Sequence, residues 1–185
     1  QEATSQNEEQ EATSQNEAPE ASAKTEMTAQ PEAPEASSIL HESASAELKN
    51  TDGAVVGTVM FEALPHGTLL KVELDGVPAG THAFHVHAIG ACEPPFTSAG
   101  GHFNPDGKKH GLRAEQGPHK GDFPNIHVPE SAQLEIEYFN PALALNEALF
   151  DEDGAAVVIH EGPDDYATDP AGAAGPRIAC GVITP

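Results

Sequence analysis

LLKVELDGV (residues 69–77) and QLEIEYF (residues 133–139) decide the fold. In the first, Leu70, Val72 and Leu74 alternate with Lys71, Glu73 and Asp75. In the second, Leu134, Ile136 and Tyr138 alternate with Glu135 and Glu137. Successive side chains of an extended chain point to opposite faces, so each run has one apolar face and one wetted face. Outward from these runs the texture persists in GAVVGTVMFEAL from Gly53, HAFHVHAIG from His82, AAVVIH from Ala155 and RIACGVI from Arg177. Glycine, proline and aspartate separate them, and no long stretch holds a helical apolar period. The expectation is an all-β sandwich or barrel.

A chain of 185 residues, 38% hydrophobic, has room for one ordinary domain and a tail. Residues 1–38 repeat QEATSQNE and APEAS and carry nine glutamates against one lysine. They hold no aromatic or β-branched aliphatic residue, so they cannot bury enough apolar area to offset chain entropy. We therefore expect residues 1–48 to be a low-complexity, acidic, disordered N-terminal spacer and residues 49–185 to be the folded domain. The net charge of -22 repels nucleic acid and anionic membranes alike, and no apolar run is long enough to span a bilayer. The chain opens on Gln1 rather than Met, which suggests a removed signal peptide and a periplasmic or extracellular place, with a lipid anchor as one means of attachment. Cys92 and Cys180 have no further cysteines with which to build a thiolate zinc site. They are either two buried thiols or one long-range disulfide. The disulfide is favoured, and it implies an oxidising compartment.

His85 and His87 stand two apart in a β-type run, so their rings emerge on one face and can converge on one ion. Alone, such a pair is more often plain surface or core histidine. Downstream, however, His102, His110, His119 and Asp122 gather in a loop, Ala91 to Pro124, that is rich in glycine and proline and far too long for a hairpin. Metal coordination would order it, and three imidazoles with a carboxylate form a four-donor set suited to zinc. His160 ends the apolar run AAVVIH, where a polar ring is otherwise hard to satisfy. His41 and His66 are expected in solvent, His82 in a structural role and His127 at a strand edge.

FHVH (84–87), SAGGHFNP (98–105), HG (110–111), HKGDFPN (119–125), VVIHEGPDDY (157–166) and AGPRIACGVI (174–183) closely resemble the copper/zinc superoxide dismutases. The resemblance covers roughly residues 50 to 183. The EPPF segment after Cys92 and the short loop between Asp165 and Arg177 look like bacterial members. The resemblance implies a Greek-key β-sandwich or flattened barrel of about eight antiparallel strands, with long metal-binding and electrostatic loops. It implies an antioxidant oxidoreductase, monomeric or homodimeric, that converts superoxide to dioxygen and hydrogen peroxide with one copper and one zinc per subunit. Carried over by position, it assigns copper to His85, His87, His102 and His160, and zinc to His102, His110, His119 and Asp122. Asp164 matches the carboxylate linking His85 to His110, Arg177 the arginine at the copper channel, and His102 the bridging, proton-carrying ring. Lys108, Lys109, Arg113, Lys120 and Arg177 would draw an anionic substrate toward an otherwise acidic protein. The competing reading is a non-catalytic copper- and zinc-binding or copper-delivery protein on the same sandwich.

Overall fold

The computed structural model describes residues 40–185. Its strands are β1 (Ser43–Asn50), β2 (Val55–Leu64), β3 (Gly67–Asp75), β4 (Gly80–His82), β5 (Phe84–His87), β6 (Ile126–Val128), β7 (Gln133–Asn140), β8 (Ala156–His160) and β9 (Arg177–Val182). The alternation that decides the fold is realised in β3, where Thr68, Leu70, Val72 and Leu74 are buried and Lys71, Glu73 and Asp75 exposed. Seven strands form one curled antiparallel sheet in the order β5-β8-β9-β1-β2-β3-β7, and β4 pairs with β6 in a second ladder. Ala83 alone separates β4 from β5, so the path Gly80 to His87 passes from one ladder to the other. At this switch the Ala83 N–H donates to Gly162 O and the Ala83 carbonyl accepts from the His160 N–H. Taking that path as one strand gives the expected eight. The neighbours β3–β7, β5–β8 and β9–β1 are distant in sequence, as a Greek-key arrangement requires.

The strand β1 corrects the expected domain boundary at 49. It begins at Ser43, with Ala44, Ala46 and Leu48 buried between exposed or half-buried Ser45 and Glu47, and it pairs with both β2 and β9. Alanine and serine carry little β preference, so this run has the period of a strand without its usual residues. The expected disorder of residues 1–39 lies outside the described residues.

The main core gathers Leu48, Val59, Phe61, Leu70, Val72, Phe84, Val86, Phe123, Ile126, Val157 and Ile159. A smaller cluster holds Phe96, Ala99, Ala156, Val158 and Cys180. β8 runs between the two, which is why all five of its residues are buried and its sequence does not alternate. The long loop from Ala88 to Asn125 returns along the free edge of β5. Phe103 N–H donates to Val86 O at 2.8 Å, Val86 N–H to Gly121 O at 2.9 Å and Ala88 N–H to Gly101 O at 2.9 Å. Any side chain at position 121 would run into the Val86 carbonyl, so this close approach requires glycine.

Candidate metal centre

Phe84 and Val86 of β5 point into the main core, so the intervening period of two turns His85 and His87 to the opposite face, where the loop buries them completely. His102 lies bridged to His87 and Asp122 to His85. His160 ends β8, the partner of β5, and its ring stands 5.2 Å from that of His85 and 5.7 Å from that of His87. One nitrogen of each ring is tethered. His85 Nε2 donates to Asp164 Oδ2 at 2.8 Å, His87 Nδ1 to Gly100 O at 3.0 Å and His160 Nδ1 to Gly175 O at 3.1 Å, while His102 Nδ1 lies 2.8 Å from Asp122 Oδ1. Carbonyls and carboxylates only accept, so these contacts fix the tautomers and leave the other nitrogens of His85, His87 and His160 as bare lone pairs. His85 Nδ1, His87 Nε2, His102 Nε2 and His160 Nε2 are buried and have no hydrogen-bond partner among the described residues. Donor atoms of these four residues lie within 4.8 Å of one another. Buried polar atoms are almost always satisfied, and four unsatisfied ones facing each other fit a cation.

A second set surrounds Asp122 Oδ1, with His102 Nδ1 at 2.8 Å, His110 Nδ1 at 3.1 Å and His119 Nδ1 at 3.3 Å. The other carboxylate oxygen accepts the backbone N–H groups of Gly111 (2.9 Å) and His119 (3.0 Å). His85 also comes within reach of His102, His110 and Asp122. Its Nε2 is held by Asp164, however, and its Nδ1 faces the first set, with which we group it. His102 thus contributes one nitrogen to each set. Asp164 spans them from behind, with Oδ2 on His85 and Oδ1 on His110 Nε2 at 3.0 Å.

Burial holds His85 down to about 3 and His160 to about 4, and it lowers His87 and His102 as well. For His110 burial also pulls downward, but hydrogen bonds to Asp122 and Asp164 override it and raise the ring to about 9. Burial pushes the Asp122 and Asp164 carboxyls up, yet the rings and backbone N–H groups around them hold both well below the usual carboxylate range. A ring with a depressed folded value gives up stability as pH falls from its unfolded value, near 6.5, toward the folded one. At pH 5 His85 and His160 therefore cost about 2 kcal/mol each, part of which His110 offsets because it favours the folded state at acid pH. Because His87 and His102 are lowered in the same sense, the metal-free protein should be at least about 3 kcal/mol less stable at pH 5 than at pH 7. Equal urea midpoints at the two pH values would mean that the buried rings already carry protons.

Asp164 is itself held by a residue that donor chemistry alone does not single out. The Asn125 side chain accepts from the Asp164 N–H at 2.8 Å and donates to its carbonyl at 2.9 Å. The Asn125 N–H in turn donates to the Tyr166 hydroxyl at 2.8 Å. Asp169, equally unsuspected, accepts from the His110 N–H at 2.8 Å. Gly172 closes this arrangement at a φ of +65°, and a methyl group there would strike both Asp164 Oδ1 and His110 Nε2. Gly172→Ala should cost about 2 kcal/mol from backbone strain and displacement. It should also weaken zinc retention about 10- to 100-fold, as loss of an orienting contact does. Competition with a chelator measures this, and unchanged retention would remove the role of Asp164.

Arg177, at the start of β9, donates from Nη1 to Phe96 O and from Nη2 to Gly100 O, both at 2.6 Å. It lines an opening with Gly101, His102, Lys108, His119 and Asp169. Of the other basic residues, Lys109 pairs with Asp169 at 3.0 Å, Lys120 with Asp106 at 3.2 Å, and Arg113 lies over the Tyr166 ring. Lys108 and Arg177 are therefore the cations at the mouth. Cys92 and Cys180 form a disulfide, with Cα atoms 5.6 Å apart. His66 and His127 are exposed, and buried His82 has its ring nitrogens 2.9 Å from the carbonyls of Pro78, His160 and Glu161. His41, expected in solvent, is instead half-buried against the Phe150 ring at 4.6 Å, because the segment before β1 is tied to Leu145.

Residues 55–183 match the family model described as copper/zinc superoxide dismutase. The chain belongs to the copper/zinc superoxide dismutase family. It is 50% identical over 146 residues to Superoxide dismutase [Cu-Zn] 2 of Aquifex aeolicus, an alignment covering 76% of this chain and 85% of that protein. Among solved structures, the Cu/Zn superoxide dismutase from Brucella abortus is 29% identical with a TM-score of 0.65, over 77% of this chain and all of the other. A SOD-like protein from Bacillus subtilis is 33% identical with a TM-score of 0.71, over 78% of this chain and 99% of the other. Membership makes the chain an oxidoreductase with copper and zinc as its cofactors. No helix of the described residues is long and apolar enough to cross a membrane.

Proposed function

We propose that this member of the family dismutes superoxide at copper held by His85, His87, His102 and His160, beside zinc held by His102, His110, His119 and Asp122. The observation that carries the reading is the set of four buried ring nitrogens, which nothing among the described residues satisfies and a copper ion would. When bound, copper supplies one-electron chemistry that oxidises one superoxide to dioxygen and, with two protons, reduces a second to hydrogen peroxide, while zinc adds charge without redox chemistry. The chain's part is positional. Arg177, always charged and offering paired donors, draws the anion toward the Nε2 face of His102. His102 Nε2 is the atom placed to hold and pass a proton, because its other nitrogen is fixed at Asp122. Asp164 keeps His85 and His110 in the tautomers that face their ions.

The test is superoxide decay followed after a radiolysis pulse, with the copper- and zinc-loaded protein and with His160→Ala. The loaded protein should accelerate decay and the variant should not. Metal uptake without acceleration would favour the non-catalytic binding reading. The disulfide suits a periplasmic or extracellular setting, in which the acidic repeats of residues 1–38 would act as a spacer.

A further inference from the structure

The two carbonyls that hold Arg177 bound a single turn of 3-10 helix, Thr97–Ala99. Phe96 on one side has φ +71° and ψ +16°, the left-handed conformation, and Gly100 on the other has φ +70° and ψ -151°, a conformation open essentially to glycine alone. For a non-glycine residue such a backbone is costly and persists only when its surroundings impose it. Those surroundings are the second apolar cluster. The Phe96 ring is 1% exposed and belongs to the cluster of Ala99, Ala156, Val158 and Cys180. The Gly100 carbonyl does double service, since it also accepts from His87 Nδ1 at 3.0 Å. With two lone pairs it can take both donors.

The geometry points to Phe96 as a positioning residue for the reaction: its buried ring locks the 96–100 turn so that two carbonyls aim Arg177 at the opening over His102. The inference rests on the anion-binding role given above to Arg177. A guanidinium is directional and loses its use when its plane turns. The contacts that set this plane are main-chain carbonyls, which no other part of the Arg177 side chain replaces. The pull of the apolar cluster on a ring thereby decides the direction of a charge 81 residues away in the sequence. The residues that share this cluster with Phe96 include none of the proposed metal donors.

The experiment is a double-mutant cycle on the copper- and zinc-loaded protein, read by azide binding to the copper through its absorption band, with metal content measured in parallel. Arg177→Ala should weaken azide about tenfold or more, the loss of one charge-assisted contact. Phe96→Ala should weaken it severalfold with both metals still bound, and Phe96→Leu, which keeps most of the buried volume, should recover most of that loss. In the Arg177→Ala background, Phe96→Ala should add nothing. An equal effect in both backgrounds, or wild-type azide affinity in Phe96→Ala, would overturn the proposal while leaving Arg177 in place. Unchanged affinity in Arg177→Ala would overturn the role of the arginine and the proposal with it. Should Phe96→Ala fail to fold, Phe96→Val is read by the same cycle, with an expected loss of about threefold.

Discussion

His102→Ala should lose superoxide dismutation and weaken both metal sites at once. The ring gives Nδ1 to the set around Asp122 and Nε2 to the set formed with His85, His87 and His160. Removal of a residue that only orients a donor already costs about 10- to 100-fold, so loss of a shared donor should lower the rate by at least about a hundredfold. Single-set controls separate the two consequences. His87→Ala should release copper and keep zinc, whereas His119→Ala should loosen zinc and keep copper. His102→Ala should resemble neither control alone. It also strips Asp122 of a hydrogen bond at 2.8 Å, so the carboxylate should titrate closer to its ordinary range in the metal-free protein. Metal analysis after dialysis decides the matter. Full zinc occupancy in His102→Ala would mean that the ring is not shared.

What the sequence makes legible here depends on whether a role requires a particular side chain. Leu70, Val72 and Leu74 announce β3 because only apolar residues suit a buried sheet face, and their partners Lys71, Glu73 and Asp75 mark the wet side. The proposed metal donors are equally visible, since few residue types carry an imidazole or carboxylate and their positions match a known pattern. β1 hides because alanine fills a core as well as a helix face, so Ala44 and Ala46 carry no strand signature. The anchors of Arg177 hide more thoroughly. Phe96 and Gly100 act through carbonyl oxygens, which every residue possesses, and the sense of the turn is set by φ angles that composition does not encode. Asn125 is an intermediate case. It lies inside the quoted motif HKGDFPN, yet an asparagine in a loop has many uses, and its hold on Asp164 appears only once residues 39 apart are brought together.

Removing the Cys92–Cys180 disulfide should be the largest single loss of stability available without touching a metal donor. The bond closes a separation of 88 residues, and the entropy it withholds from the unfolded chain corresponds to about 4–5 kcal/mol. Against a total of about 5–15 kcal/mol for a domain, that leaves the metal-free protein close to unfolding. Cys180 is also 1% exposed and packs with Phe96, so replacement by serine would bury a hydroxyl, and alanine is the cleaner substitute. The metal-free Cys92→Ala/Cys180→Ala protein should melt about 10–20 °C below its parent, by the usual conversion for a domain of this size. Loaded with copper and zinc, the same variant should recover most of that difference, because ions that bind only the folded form stabilise it by mass action. Metal stoichiometry should not change, since neither cysteine is among the seven proposed donors. Calorimetry of the four forms checks each statement. A shift below about 1 kcal/mol in the metal-free pair would mean that the unfolded chain is already compact between these two residues and that the constraint has little entropy to remove.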